Sequence, residues 1–255
     1  MMKAYAPSNT LADKVSRRLR PLRNTRVIAV NLDTPLVSIS FDDFPITAIT
    51  HGSDVMEQYG WRATFYTCAG LEGITNHHGP HFTAEHLRAL DAKGHEIAGH
   101  TLDHLDCSTL PNAAVLSQIV KNKTRLHEMG VTQPIDGFAY PFGAASAPLK
   151  KLLSQKFDAI RGIQTGAHKR RADLNELRSC GVYSRTIDSV IERINALPAS
   201  PAWLTLFTHD ICETPSPWGC TPSEFIRVLD AIAASRAQVL PMRDAVNFLR
   251  GHHDQ

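Results

Sequence analysis

The 255-residue sequence predicts an α/β protein built on a mostly parallel sheet, open or closed into a barrel. Three observations carry this expectation. Short apolar runs alternate with segments of helical periodicity along most of the chain. The clearest of those runs, 37–41 and 203–208, are apolar enough to read as buried strands. The residues with chemistry to offer, Asp42 and Asp43, His100, Pro141, Arg161 and His209, each fall just past the C-terminal end of a predicted strand. In α/β barrels and doubly wound sheets that edge carries the active site.

The strand at 37–41 delivers Asp42 and Asp43, and a helix over 49–59 ends at Gly60. A β-rich stretch at 63–68 stops at Gly70 and completes a βαβ unit. Residues 71–82 read as a loop; its His77, His78 and His81 are not taken as a metal site, because a Gly/Asn-rich loop does not fix ligand geometry and no carboxylate accompanies them. Thr83 caps a helix to about 92, which Gly94 ends. The strand at 95–99 leads into His100-Thr101-Leu102-Asp103-His104. Leu116, Ile119 and Val120 recur at helical spacing within 112–129, and Gly130 stops that helix. A brief strand at 137–140 ends in Pro141-Phe142-Gly143; a helix over 148–155 and a strand over 157–160 reach Arg161-Gly162. Residues 165–183 are polar and take no assignment, and a helix covers 190–196. The strand at 203–208 delivers His209 and Asp210. After a loop between Cys212 and Cys220, Thr221 and Glu224 form a capping box with Pro222 in the first turn, opening a helix whose apolar face is Phe225, Ile226, Leu229, Ile232 and Ala233. A short extended pair at 239–240 and a helix over 242–249 complete the chain.

Composition bounds the function. With 43% hydrophobic and 20% charged residues the chain is globular rather than disordered, and 255 residues suit one domain. The expected division is a basic leader over 1–26, holding Lys14, Arg17, Arg18, Arg20, Arg23 and Arg26, and one catalytic domain over 27–255. Such a basic run ordinarily forms a solvated helix face, and with a formal charge of +2 it gives no support for nucleic-acid binding. No stretch reads as a signal peptide or transmembrane segment, so the chain as written is expected in the cytoplasm. Five cysteines without a C-x-x-C pair read as reduced thiols, although Cys212 and Cys220 flank one loop and a bridge between them is conceivable. Nothing in the sequence sets an oligomeric state.

A zinc-type site needs three His or carboxylate ligands and an open position. Asp43, His100 and His104 can supply them, provided that residues 100–104 turn helically and bring imidazoles four apart onto one side. Asp42 and Asp43 can share that site only if the strand has ended and the chain is turning; the pair then suits a metal ligand beside a general base.

At these residues the sequence resembles the polysaccharide deacetylases of the NodB-homology type, carbohydrate esterase family 4. The resemblance spans about residues 36–250 and rests on Ser40-Phe41-Asp42-Asp43, His100-Thr101-Leu102-Asp103-His104, Tyr140-Pro141-Phe142-Gly143 and Leu206-Phe207-Thr208-His209-Asp210. It implies a distorted (β/α) barrel of about seven strands. Asp43, His100 and His104 would hold a divalent metal, usually zinc; Asp42 would be the general base, His209 the general acid and the Phe142 amide an oxyanion donor. The implied reaction is hydrolysis of the N-acetyl group of an amino sugar, oligosaccharide or polysaccharide, releasing acetate. The sequence departs from the family twice: Ala139 stands where the third motif usually has an arginine, and no fourth motif is found within 157–185. Arg161 is the expected replacement for the missing guanidinium, with Asp210 a further side chain behind the site. Trp218, in Pro-Ser-Pro-Trp-Gly, suits a stacking platform for a sugar face, whereas Tyr140 fits a core role before a substrate role. Two other readings are hydrolysis of a non-sugar amide or formamide, and a non-catalytic sugar-binding protein with a relic site.

Overall fold

A computed structural model describes residues 19–251; Lys14, Arg17 and Arg18 lie outside the described residues. In chain order the elements are β1 (Val27–Ala29), β2 (Leu36–Asp42), a π-helical turn (Ala48–Ser53) running into α1 (Asp54–Gln58), β3 (Thr64–Thr67), the hairpin β4 (Thr75–Asn76) and β5 (Gly79–Pro80), α2 (Ala84–Ala92) and β6 (Glu96–Gly99). There follow α3 (Asn112–Glu128), β7 (Gly137–Ala139), α4 (Ala147–Leu153), β8 (Ala159–Arg161), β9 (Arg171–Asp173), β10 (Cys180–Gly181), α5 (Ile187–Asn195), β11 (Trp203–Thr208), α6 (Pro222–Ala234), β12 (Gln238–Val239) and α7 (Met242–Gly251).

The main sheet has the order β10-β11-β2-β3-β6-β7-β8, with β12 paired to the start of β2, and every pairing in it is parallel. It curls into a half-barrel, as expected for an α/β chain whose helices cover one face. Between the outer strands β8 and β10 the gap is spanned by 174–179: Ile160 N–H donates to Leu174 O, Leu177 N–H to Ile160 O, and Ser179 N–H to Gln164 O. The segment that the sequence left unassigned therefore contributes two short strands. One of them, β9, pairs antiparallel with β1 outside the main sheet.

Strand β2 shows how the sequence positions the site. All seven of its residues are buried, and alternation divides them between two faces. Val37, Ile39 and Phe41 join the main apolar core under the helices, where Phe41 lies 5.1 Å from Phe65 and 6.0 Å from Phe225 between ring centroids. Ser38, Ser40 and Asp42 face the other way, into the curl of the sheet. There Trp203 Nε1–H donates to Ser38 Oγ at 3.0 Å and Ser40 Oγ–H to Leu206 O at 3.1 Å. The interior of the half-barrel is thus polar along this strand, and the polar row ends on Asp42.

Of the leader arginines that are described, Arg23 is exposed, whereas Arg20 and Arg26 pack on the domain. Arg20 is buried, with Nε donating to Glu176 Oε1 at 3.0 Å and its other nitrogens to Gly143 O and Ala145 O. Lys150, fully buried on α4, joins Asp173 at 2.7 Å and Glu176 at 3.3 Å. Arg26 Nη2 donates to the carbonyls of Phe157 and Asp158. Arg20 and Arg26 therefore tie the segment to the domain, and carboxylates at 173 and 176, distant in sequence, turn part of the charge run into pairs. All five cysteines are free thiols. Among the described residues no helix is long and apolar enough to cross a membrane.

Candidate active site

Three chain reversals at the C-terminal edge of the sheet gather the site. The first follows β2. Asp43 and Phe44 have φ of 60° and 63°, and Phe44 N–H donates to Asp42 O at 2.6 Å. The strand thus ends between the two carboxylates, which lets side chains of opposite parity serve one site. The second reversal follows β6 and is not the helical turn that the His-x-x-x-His spacing suggested. Thr101 and His104 are left-handed, at φ 61° and 51°. The bend is held by Gln118 Oε1, which accepts from the amides of Leu102 and Asp103, and by Thr101 Oγ1, which accepts from Leu105 N–H. Gly70 is required here, since a Cβ on it would lie 2.6 Å from Asp103 Oδ1 and 2.7 Å from Leu102 O. The two imidazoles still meet, with ring centroids 5.0 Å apart. In the third reversal Pro141–Gly143 turns tightly with Phe142 at φ 57°, setting its ring edge-on to His104 at 4.4 Å.

Asp43 is the hub. It is 5% exposed, and its Oδ1 lies 3.3 Å from His104 Nε2 and 3.7 Å from His100 Nε2. His100 Nδ1–H donates to Ala139 O at 2.8 Å, which fixes the tautomer and leaves Nε2 as the atom facing the carboxylate. Burial alone would raise the pKa of Asp43, but the imidazoles of His104, His100, His209 and His78 outweigh it and hold the carboxyl well below the usual range. Burial also pulls His100 down to about 3, helped by His104. Two ligand atoms on one cation with bonds of about 2.1 Å lie at most about 4.2 Å apart; His100 and His104 each meet that limit with Asp43 Oδ1, although the three together do not form a group whose donor atoms all lie within 4.8 Å of one another. Among the described residues, the groups whose donor atoms all lie within 4.8 Å of one another are Asp43–Cys68–His100 and Asp43–His78–His209. Cys68 and His78 are thus additions to the expected set. Cys68 Sγ–H donates to His100 O at 2.9 Å, and burial raises its pKa well above that of a free thiol.

Asp42 has a different environment. Arg161 Nη2 donates to Asp42 Oδ2, Arg161 Nη1 donates to Gly162 O at 3.1 Å, and the guanidinium lies between the rings of Phe207 and Tyr66 at 4.4 and 5.0 Å. Arg161 is completely buried. Its position follows from the register: Ala139 and Arg161 are paired neighbours on β7 and β8. The guanidinium on Asp42 thus comes from β8, one position across the sheet from Ala139. Burial raises the Asp42 pKa to about 6 against the opposing pull of Arg161. Asp42 Oδ1 is buried without a hydrogen-bond partner.

His209 lies one residue beyond Thr208, whose partner on β2 is Phe41, so register sets it beside Asp42. Its Nδ1–H donates to Trp218 O at 3.2 Å, leaving Nε2 for the site, and burial together with His78 lowers its pKa to about 3. The Trp218 ring is half-buried, edge-on to His77 at 5.8 Å and His78 at 6.3 Å. Asp210 points away from His209 to His78 and Ser216. Tyr140 is buried in a satellite core with Phe138 and Leu149, its hydroxyl on Asn175 O at 3.3 Å, and Pro141 is buried at the start of the turn that bears Phe142. The structure thus gathers Asp42, Asp43, His100, His104, Phe142, Arg161, His209 and Trp218 and leaves Tyr140 in the core. It also brings in His78, for which the sequence offered only its loop neighbours.

Comparison with known proteins agrees with this arrangement. The family described as polysaccharide deacetylase matches residues 29–156, half of the chain. A chitin deacetylase of Colletotrichum lindemuthianum is 32% identical over 140 residues, 53% of this chain and 50% of that protein. A probable peptidoglycan-N-acetylglucosamine deacetylase of Arthroderma benhamiae is 37% identical over 86 residues, 33% of this chain and 18% of that protein. The chain thus spans half or less of the length of these curated relatives. Among solved structures, the Xyl-CE4 domain of a multidomain xylanase from the hindgut metagenome of Trinervitermes trinervoides superposes with a TM-score of 0.58 at 18% identity, covering 86% of this chain and 92% of that one, a likeness of fold. On the profile match, and with a half-barrel of the same kind, the chain belongs to the polysaccharide deacetylase family.

Proposed function

We propose that the chain is a metal-dependent N-deacetylase that hydrolyses the acetamide of an N-acetylated amino sugar or its oligomer, releasing acetate. The observation that carries the proposal is the contrast between the two adjacent carboxylates: Asp43 is surrounded by imidazoles, whereas Asp42 is held by one arginine and keeps a buried oxygen without a partner. The matched relatives, named as deacetylases of chitin and of peptidoglycan N-acetylglucosamine, support the substrate class.

Asp43, His100 and His104 would hold the cation, and three nitrogen or oxygen donors suit zinc. What a cation supplies there is polarisation of the amide carbonyl and acidification of a water molecule. The chain's own residues do the rest. Asp42 Oδ1 accepts the proton of the attacking water, and the buried Arg161 fixes the carboxylate so that this oxygen stays directed into the site. The Phe142 amide, on its tight turn, is the donor to the developing oxyanion. His209 presents Nε2 to the departing amine. Its pocket disfavours the imidazolium, so the proton it delivers has to be acquired within the reaction cycle rather than stored beforehand. The Trp218 ring at the rim gives a sugar face an apolar surface to stack on.

The test is acetate release from N-acetylglucosamine, chitin oligomers and peptidoglycan fragments, with added zinc and with a chelator. Release that stops with the chelator is the expected result. No release from any of these by folded, zinc-loaded protein would overturn the sugar deacetylase reading, and release of acetate or formate from simple amides alone would reassign the substrate class.

A further inference from the structure

Residues 75–80, Thr-Asn-His-His-Gly-Pro, form a two-residue hairpin whose tip is His77-His78. Asn76 Oδ1 accepts the His78 amide at 2.8 Å, and Gly79 at φ 94° completes the turn. The hairpin is fastened to the chain directly after Asp43. Ile46 N–H donates to Pro80 O, Phe82 N–H to Phe44 O, and Pro45 bridges to His81. A loop that composition marks as flexible is therefore tied through its C-terminal arm beside the hub carboxylate.

The pinning buries His78, which is 5% exposed. Its Nδ1–H donates to Asp210 Oδ1 at 2.8 Å, with Ser216 Oγ a further 3.1 Å neighbour. Asp210 is itself held by the Ser216 hydroxyl at 2.6 Å and the Ser216 amide at 2.7 Å. Gly219 permits this arrangement, since a Cβ there would come 2.3 Å from Asp210 O and 2.7 Å from its Cγ. With Nδ1 committed to a carboxylate, Nε2 faces Asp43 Oδ2 at 3.9 Å. That separation is too long for a hydrogen bond and short enough for two ligand atoms to share one cation at about 2.1 Å from each. His100 shows the same arrangement, with Nδ1–H on a carbonyl and Nε2 3.7 Å from Asp43 Oδ1. A metal-binding histidine characteristically donates its other ring N–H to a carboxylate or carbonyl, which sets tautomer and ring orientation. The donor atoms of His78, Asp43 and His209 lie within 4.8 Å of one another, and the His78 ring is stacked on His209 at 4.8 Å.

We propose that His78 is a further imidazole ligand of the metal site, and that Asp210, fixed by Ser216, is the residue that positions it. The inference rests on the metal-dependent reading given above.

The test uses the full chain freed of metal and titrated with cobalt(II), followed by visible absorption and by proton NMR of hyperfine-shifted exchangeable imidazole N–H resonances. Wild-type protein is expected to show at least three such resonances, and H78Q one fewer. Cobalt affinity is expected to fall about 10–100-fold in D210N, the loss that follows removal of a group orienting a ligand, and further in H78Q, with a changed absorption spectrum in both. Circular dichroism of the metal-free variants checks folding; if H78Q does not fold, the wild-type resonance count and D210N decide. Fewer than three shifted resonances in the wild type, or the same number in H78Q as in the wild type, would overturn the ligand assignment. Unchanged affinity and spectrum in D210N would overturn the positioning role. Failure of the wild-type protein to bind cobalt or zinc at all would instead remove the metal-dependent function on which the proposal rests.

Discussion

The two parts of the chain build the site by different means. Residues 29–156, which carry the family match, supply Asp42, Asp43, His100 and His104 from short contiguous motifs at the ends of β2 and β6, where a strand stops and the backbone turns left-handed. Residues 157–251 supply one motif, Leu206 to Asp210, and otherwise distant partners. Arg161 reaches Asp42 from a chain separation of 119, and Asp210 reaches His78 from 132. In the first part local backbone geometry places a donor; in the second, sheet register and buried charge do. Under the function proposed above, the first part would hold the cation and the general base, and the second would orient that base and supply the acid.

Mutations can break that division. The largest effect is expected for His104→Ala, which should lose bound metal and acetate release together, with zinc or cobalt affinity lowered by more than the roughly 10–100-fold that follows removal of a group merely orienting a ligand. Isothermal titration with zinc reads it directly; normal affinity would take His104 out of the ligand set. Asp42→Asn separates the functions of adjacent residues: metal content stays, and kcat falls by about 10²–10⁴-fold, the usual contribution of a general base. Turnover retained in this variant would remove Asp42 from the mechanism. Arg161→Ala probes the second part. Leaving Asp42 buried without its charge partner should cost about 3–5 kcal/mol in urea unfolding, besides lowering kcat. Arg161→Ala protein as stable and as active as the wild type would show that the site does not need a guanidinium there.

A smaller effect sharpens the comparison away from the site. His168 is buried against Trp203, its Nε2 has no hydrogen-bond partner, and burial lowers its pKa from 6.5 to about 4. Between those values the unfolded chain binds a proton that the folded protein refuses. Stability from this residue is therefore complete above pH 6.5 and is lost as pH falls toward 4. At 1.36 kcal/mol per pH unit the loss is at most about 3 kcal/mol. His168→Phe should flatten the acid side of the stability curve by up to that amount relative to its value at pH 7.5. An unchanged slope in urea melts across pH 7.5 to 4.5 would assign the acid sensitivity elsewhere.

Much of this arrangement could be read without coordinates. The mostly parallel sheet, the capping box at Thr221 and the clustering of reactive residues at strand ends rest on local patterns, which survive folding. Arg161 was accessible for the same reason: a charged residue closing an apolar strand is conspicuous. The rest depends on contacts that sequence spacing does not encode. His78 looked like one histidine of a loop cluster because its two carboxylates lie just past the ends of distant strands, β2 and β11. Cys68 approaches Asp43 only through the pairing of β3 with β2 and β6. Four-residue spacing between His100 and His104 has two backbone solutions, and side chains outside the motif, Gln118 and the space left by Gly70, select the left-handed bend over the helical one. The strands β1 and β9 escaped notice because three residues at an edge, Arg-Ala-Asp in one of them, carry too little periodicity to register.

The place of β2 in the sheet bears on the order in which the molecule is made. Its neighbour on one side, β3, leaves the ribosome soon after it, but on the other side Leu36 pairs with Trp203 and Phe41 with Thr208. During synthesis β2 therefore waits for most of the chain with one hydrogen-bonding edge bare and Asp42 without His209. Distant pairings of this kind slow folding, and unpaired edges invite aggregation. The nascent chain is accordingly expected to gain Arg161 with β8 and His209 only in a later step, when β11 docks.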